Sequence, residues 1–449
     1  MSFPKYPEYK ATGLEWPTEA PAHWKQKRLK FVVQLNPSRS EVSDRNRTEE
    51  VSFLPMEAVG DDGSLSLEQT RPIAAVETGY TYFRDGDVTI AKITPCFENG
   101  KGAVMCGLLG GIGFGTTELI VARPRPSEVG AEYLHSVFTS ASFRGFGEAS
   151  MYGAGGQKRV SDDFVRNFRA PIPPLVEQSQ IQKFLDRETA KIDALVAEQE
   201  RLIELLNEKR QAVISHAVTK GLDARVSMMP PEFSWPPTVP THWKLKSLKY
   251  LSSRISSGKT PSGGGEAYVS EGTLFIRSQN VYDDGLRLED VVYISEAMDE
   301  SMASTRILPG DILLNITGAS IGRSCIVPND FPRANVNQHV CAIRLKNPSF
   351  RPFASHFLKS SVMKGYVDFV QNGAAREGLN FKQIGDMAIP VPPMDEQLRI
   401  VEYIESNSRK FDQLIDESKA LLAVLSERRS ALISAAVTGQ IFVHQLEVA

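Results

Sequence analysis

Several stretches of this chain carry residue types that could do chemistry. Gly111-Ile-Gly-Phe-Gly115 has the glycine spacing of a loop that wraps a cofactor such as S-adenosylmethionine. Such a loop needs a strand before it, a helix after it and an acidic residue at the end of the next strand. The residues that follow, Thr116-Thr-Glu-Leu-Ile-Val-Ala-Arg-Pro124, read as a strand instead, so no cofactor is expected there. Gly258-Lys259-Thr260 ends like a phosphate loop, but Ser253 stands where the first glycine of that loop is required. No Asn-Pro-Pro-Tyr type motif for adenine methylation occurs; Ile172-Pro-Pro and Val391-Pro-Pro read as helix starts. Cys96, Cys106, Cys325 and Cys341 show neither Cys-x-x-Cys spacing nor paired histidines, which points to reduced, mostly buried thiols rather than zinc or disulfides. His23 and His242 each precede a tryptophan, and that setting suits a hydrogen-bonding wedge better than a catalyst. The reading is of a chain with no catalytic, cofactor-binding or metal-binding residues of its own.

What positions these residues is a repeat. Trp16, Pro17, Pro21, His23, Trp24 and Lys25 recur as Trp235, Pro236, Pro240, His242, Trp243 and Lys244, each 219 residues on. Pro173, Pro174, Glu177, Gln178 and Ile181 return with the same offset as Pro392, Pro393, Glu396, Gln397 and Ile400. Between these blocks lie about 140 residues per copy that hardly resemble each other. A period this long means duplication of a whole domain, not a solenoid unit. One frame carries two different inserts, the layout of a protein that reads two unlike things at a set separation.

The block 173–219 aligns without gaps on 392–438, with 19 of 47 positions identical and no internal proline or glycine. Two prolines, acidic residues in the first turn (Glu177; Asp395, Glu396) and closing Gly221 and Gly439 delimit a long helix in each copy. Apolar residues recur near heptad spacing: Leu185, Ile192, Leu195, Leu202 and Leu206, answered by Ile404, Phe411, Leu414, Leu421 and Leu425. Two such helices in one chain are expected to zip together antiparallel, as a rigid spacer.

The inserts read as strand-rich. Thr273–Arg277, Asp311–Asn315, Ser324–Val327 and His339–Arg344 in the second copy, and Asp87–Ala91 and Glu118–Ala122 in the first, are short β-branched or apolar runs bounded by turn residues. Gly86-Asp87-Val88 corresponds to Gly310-Asp311-Ile312 at an offset of 224. The expected fold is α+β: two mixed, strand-rich domains held apart by two long antiparallel helices with an internal pseudo-two-fold repeat. The expected boundaries are 1–172 and 221–391 for the domains, 173–220 and 392–438 for the helices, and 439–449 for a tail. Composition is that of a globular protein, 41% hydrophobic and 23% charged. Residues 1–10 carry no apolar leader and no run approaches about 18 apolar residues, so a cytoplasmic protein without membrane contact is expected. A net charge of −3 argues weakly against nucleic acid, but acidic residues gather in the helices (Glu198, Glu200, Glu204, Glu208), leaving basic runs elsewhere.

In these motifs and their order the sequence resembles the specificity subunits of Type I restriction-modification systems over nearly its whole length. The carriers are Pro-x-His-Trp at 21–24 and 240–243, Ile172-Pro-Pro-Leu-Val-Glu-Gln178 and Val391-Pro-Pro-Met-Asp-Glu-Gln397. In the inserts they are Lys92-Ile-Thr-Pro-Cys-Phe-Glu-Asn-Gly-Lys101, Gly113-Phe-Gly-Thr-Thr-Glu118, Ser257-Gly-Lys-Thr-Pro-Ser262, Gly310-Asp-Ile-Leu-Leu-Asn-Ile-Thr-Gly318 and Asn335-Val-Asn-Gln338. The resemblance implies two target-recognition domains, each reading half of a bipartite double-stranded DNA sequence, with the helices setting the gap. It implies a non-catalytic subunit that bridges two copies of an adenine-N6 methyltransferase subunit holding S-adenosylmethionine. It also implies recruitment, where present, of restriction/translocase subunits using ATP and magnesium. A free-standing methyltransferase or nuclease with an unrecognised site is the alternative, and a helical scaffold without DNA a third.

Base edges are best met by Arg or Lys on guanine and Asn or Gln on adenine, and phosphates by Lys, Arg, Ser, Thr and amides near glycine. Polar, glycine-containing loops with those types supply the DNA-binding candidates. In the first insert they are Lys92, Thr94, Asn99 and Lys101; Thr116 and Thr117; and Gln157, Lys158 and Arg159. In the second they are Lys259 and Thr260; Arg277, Gln279 and Asn280; Thr317 and Arg323; Gln338; and Arg376. Gln157 and Arg376 are themselves 219 apart, which places Lys158-Arg159 and Arg376 near the hinge between insert and helix, where they meet phosphate or a helix carboxylate.

Overall fold

Both long helices form. The first is Leu175–Lys220 and the second Met394–Val437, 46 and 44 residues. They begin where the proline pairs end the preceding strand: Gln178 and Gln397 donate their backbone N–H to Pro174 and Pro393, and their side-chain amides to the carbonyls of Pro173 and Pro392. They stop where Gly221 and Gly439 adopt φ of +73° and +75°, the left-handed turn that closes a helix and that glycine reaches without strain. At Gly439 a Cβ would also sit 2.3 Å from Pro21 Cδ.

The computed structural model describes residues 3–153, 156–229, 238–371 and 378–443. It divides into two compact units, Met1–Gln199 with Lys419–Ala449, and Glu200–Ser418. Each unit therefore contains half of each long helix. In the first, Arg429 Nε meets Asp193 at 3.1 Å; in the second, Arg210 pairs with Asp412. These are the same two positions of the repeat with donor and acceptor helix exchanged, and both pairs require an antiparallel arrangement. The heptad expectation holds for only one row. Leu185, Ile192, Leu206, Ile404 and Leu425 are buried, whereas Leu195, Leu202, Leu414 and Leu421 are 40–46% exposed. A two-helix seam covers the row at its axis; the row three residues on lies at the flank, where only a further helix could close it.

Each unit repeats one sheet topology on unlike sequence. In the first, one sheet runs Val33–Leu35, Leu119–Pro124, Val88–Ala91, Gly102–Val104. In the second, the same order appears as Ser252–Ser257, Val340–Leu345, Ile312–Asn315, Ser324–Ile326. A second sheet has a parallel central pair in both, Glu50–Leu54 with Ile112–Gly115 and Thr273–Ile276 with Ala334–Val336. The glycine run 111–115 thus ends in a strand, with Phe114 fully buried. Asp87 and Asp311 lock the first sheet in each unit. Each follows a glycine of positive φ, accepts a backbone N–H from three residues earlier, and takes a two-pronged contact from an arginine on the neighbouring strand, Arg123 or Arg344, at 2.7–2.8 Å.

The shared tryptophans tie each domain's start to its helix. Trp24 is fully buried and donates its indole N–H to Glu177 at 3.1 Å; Trp243 donates to Glu396 at 3.0 Å. His23 contacts the other oxygen of Glu177, and His242 shares with Trp243 the same oxygen of Glu396, both at 2.8 Å. Tyr6 adds its hydroxyl to Glu177 in the first unit, and burial drives its acidity far below that of a free phenol. The histidines are hydrogen-bonding wedges. Trp235 and Pro236 lie outside the described residues. Of the cysteines, Cys325 and Cys341 are buried, Cys96 is half-buried and Cys106 exposed, so burial of most thiols is corrected to two of four. Among the described residues no helix is long and apolar enough to cross a membrane.

Candidate nucleic-acid interface

The repeated topology decides where the polar loops go. In the first unit, residues 92–101 join two strands of one sheet, 116–118 cross from the other sheet, and 152–153 and 156–160 lie between the helices Ala141–Ala149 and Asp162–Asn167. Two backbone hydrogen bonds gather them: Lys92 N–H to Glu118 O at 2.8 Å and Val160 N–H to Lys92 O at 2.9 Å. The second unit makes the same two bonds, Ile316 N–H to His339 O at 3.0 Å and Leu379 N–H to Ile316 O at 2.8 Å. Three sequence-distant loops therefore meet at one edge in each unit. The loops carrying Lys259 and Thr260 and Arg277 to Asn280 join that edge: Gly258 donates to Asn337 O at 3.1 Å, and Asn315 Nδ2 to Ser278 O at 2.8 Å. Gly258 has to be glycine there, because a Cβ would lie 1.6 Å from Val336 O.

Within the first edge, Asn99, Thr117, Gln157 and Lys158 are exposed, and the half-buried Lys92 and Thr94 lie between them. Thr94 bonds the Lys158 carbonyl, Thr116 accepts the Glu118 N–H, and Lys101 reaches the Met56 carbonyl at 3.2 Å. Arg159 is held by Glu118 through three contacts of 2.8–3.3 Å, and those bonds lower the Glu118 carboxyl below its usual range. Its carboxylate partner thus lies in the insert, where phosphate or a carboxylate on a long helix were the two readings of the sequence. In the second unit Lys259, Thr260, Gln279 and Gln338 are exposed. Thr317 Oγ1 and Gln338 Nε2 lie 2.5 and 2.9 Å from the two ring nitrogens of His339. Arg277 donates to the Asp290 carbonyl at 2.7 Å. Asn280 is 2% exposed and its amide is spent on Arg277 N–H and Arg287 O, so it caps its own turn. Arg376 lies outside the described residues.

Sequence reasoning passed over three neighbours. Tyr152, 62% exposed, pairs in a bridge with Arg159; its signal was only an aromatic beside a glycine run. His339 directly follows Gln338. Tyr282 lies under two guanidiniums, Arg287 and Arg323, with Cζ 3.8 and 4.8 Å from the ring centroid. Nothing in the spacing of 282, 287 and 323 announces that cluster.

Residues 240–423 match the family model for the Type I restriction modification DNA specificity domain. The chain is similar to the Type I specificity subunits. It is 43% identical over 169 residues to the Type I restriction enzyme EcoEI specificity subunit of Escherichia coli, a match covering 37% of this chain and 28% of that protein. The EcoAI specificity subunit of the same organism matches at 45% over 169 residues, again 28% of its length. Over 98% of both chains, it is 21% identical to the putative MjaX specificity subunit of Methanocaldococcus jannaschii. Among solved structures, one described as the structural basis of complex assembly and conformational transition of the type I R-M system has a chain that aligns with TM-score 0.65. That match is 19% identical and covers 95% of this chain and all of the other, a likeness of fold.

Proposed function

We propose that this chain supplies sequence specificity to a Type I restriction-modification complex without catalysing a reaction itself. Each unit reads one half of a bipartite, asymmetric double-stranded DNA target through its loop edge, and the paired helices set the gap between halves. The subunit bridges two copies of an adenine-N6 methyltransferase subunit, which bind S-adenosylmethionine, and serves restriction subunits using ATP and magnesium where the system has them. The helical frame is the surface for those partners: its sequence is shared between copies, and equivalent surfaces suit two identical partners.

The observation that carries this reading is one topology present twice with unlike side chains on the same loop edge. A duplicated enzyme would keep its reactive residues alike in both copies. Here the alike residues are frame residues, Trp24 and Trp243 on Glu177 and Glu396, while the edges differ. The test is co-expression with the methyltransferase of the neighbouring reading frame, followed by mapping of N6-methyladenine on random DNA. A two-part, non-palindromic motif is expected. Methylation by the purified chain alone, or a complex that methylates without sequence choice, overturns the proposal.

A further inference from the structure

Resting on that reading, we infer that Arg323 reads a guanine in the half-site of the second unit and that Tyr282 positions it. Tyr282 sits in a short hairpin, Val281–Tyr282 paired with Gly285–Leu286. The hairpin is fixed at its base, where Asn280 and Arg287 exchange bonds of 2.9 Å, and at its tip, where Asp283 Oδ1 accepts the Ser324 N–H at 3.0 Å. Ser324 is the residue after Arg323. The backbone of Arg323 is pinned as well, its N–H to Ser320 O at 3.1 Å and its carbonyl to Asn315 N–H at 2.8 Å. The hairpin that carries the ring and the backbone that carries the guanidinium are thus held by the same few bonds.

The two arginines on the ring differ in what they have left to give. Arg287 donates to Asp284 at 3.2 Å, so its charge is met inside the hairpin. Among the described residues the guanidinium of Arg323 makes no hydrogen bond or ion pair; it lies over the Tyr282 ring, with Cζ 4.8 Å from the centroid. A guanidinium stacked by its face keeps its N–H edge available and loses little rotational freedom when that edge finds an acceptor pair. The planar two-acceptor target that matches such a fork in the DNA major groove is guanine O6 and N7. A phosphate contact asks only for a cation, which the exposed Lys259 supplies without any supporting ring. The neighbouring Gln338, exposed on the adjoining loop, adds the side-chain type that pairs with adenine.

The test uses the complex with its methyltransferase and a set of duplexes in which each position of the second half-site is replaced in turn. With Arg323→Ala, preference at one guanine position is expected to fall about ten- to hundred-fold, with other positions and the salt slope of binding unchanged. Tyr282→Leu keeps the arginine but frees it, and should give a smaller loss at the same position. Discrimination in the other half-site, read on the same molecules, reports that each variant is folded. A uniform loss with a shallower salt slope makes Arg323 a phosphate contact and overturns the assignment, as does an unchanged preference. A wild-type complex without sequence preference in either half-site instead removes the reading on which the assignment rests.

Discussion

At the scale of single residues, burial separates side chains that hold the fold from those left to meet a ligand. Asn280 and Arg159 have the right chemistry for DNA, and their neighbours take them up: one is buried in its own turn, the other clasped by Glu118. Lys158 and Lys259 remain exposed at the two edges and make no ion pair among the described residues. Each of Lys158→Ala and Lys259→Ala, measured in the complex, is expected to weaken DNA binding across all sequences. Each should make the slope of log affinity against log salt shallower by about 1. An unchanged slope removes that lysine from the interface. Burial also sorts the thiols. It pushes Cys325 and Cys341 up to about 12, because the charged form is the one that desolvation penalises. At pH 8 both are therefore protonated, and since the thiolate is the nucleophile they should resist alkylation while Cys106, exposed, reacts first. Mass spectrometry of iodoacetamide-treated native protein checks the order; alkylation of Cys341 as fast as Cys106 would contradict it.

At the scale of elements, what could be read in the sequence follows from how local each signal is. The long helices were legible because proline, first-turn acids and closing glycines lie within the segments they delimit, and strands such as Val88–Ala91 because β-branched runs need no distant partner to be recognised. The shared sheet order was not, since register is set by partners far along the chain. Only Gly-Asp-Val and Gly-Asp-Ile hinted at it, and the arginines that complete those corners, Arg123 and Arg344, stand 36 and 33 residues beyond their aspartates. Nor could heptad spacing tell which of two apolar rows the seam would cover. The loop clusters were legible as types and not as partners: nothing in the sequence showed that Asn280 is buried in its own turn or that Thr317 and Gln338 meet at His339. The Asp–Arg corners give a prediction at this scale. Asp87 is 1% exposed, and Arg123→Ala would leave its carboxylate buried without a cation, a loss of about 3–5 kcal/mol in urea unfolding. The loss at Arg344→Ala should be smaller, because that guanidinium is 27% exposed and its pair is partly screened. Equal stability of Arg123→Ala and the parent protein would show that the corner does not hold the sheet.

At the scale of the whole molecule, the proposal makes the helices a ruler, and a ruler can be lengthened. Helices of 46 and 44 residues extend about 69 and 66 Å at 1.5 Å per residue. Seven residues, one heptad, inserted into each helix at opposed points keep the buried row that includes Ile192, Leu206, Ile404 and Leu425 in phase. Each insertion adds about 10 Å, which is about 3 base pairs at roughly 3.4 Å each. The loop edges of both units are untouched by the change. The methylated motif should therefore keep the bases of both halves and widen only its unspecified middle, by about 3 base pairs. An insertion in one helix alone shifts Asp193 from Arg429 or Arg210 from Asp412 and should lower stability rather than move the gap. If the doubly lengthened protein folds, methylates and keeps its original gap, the helices join the two readers without measuring between them.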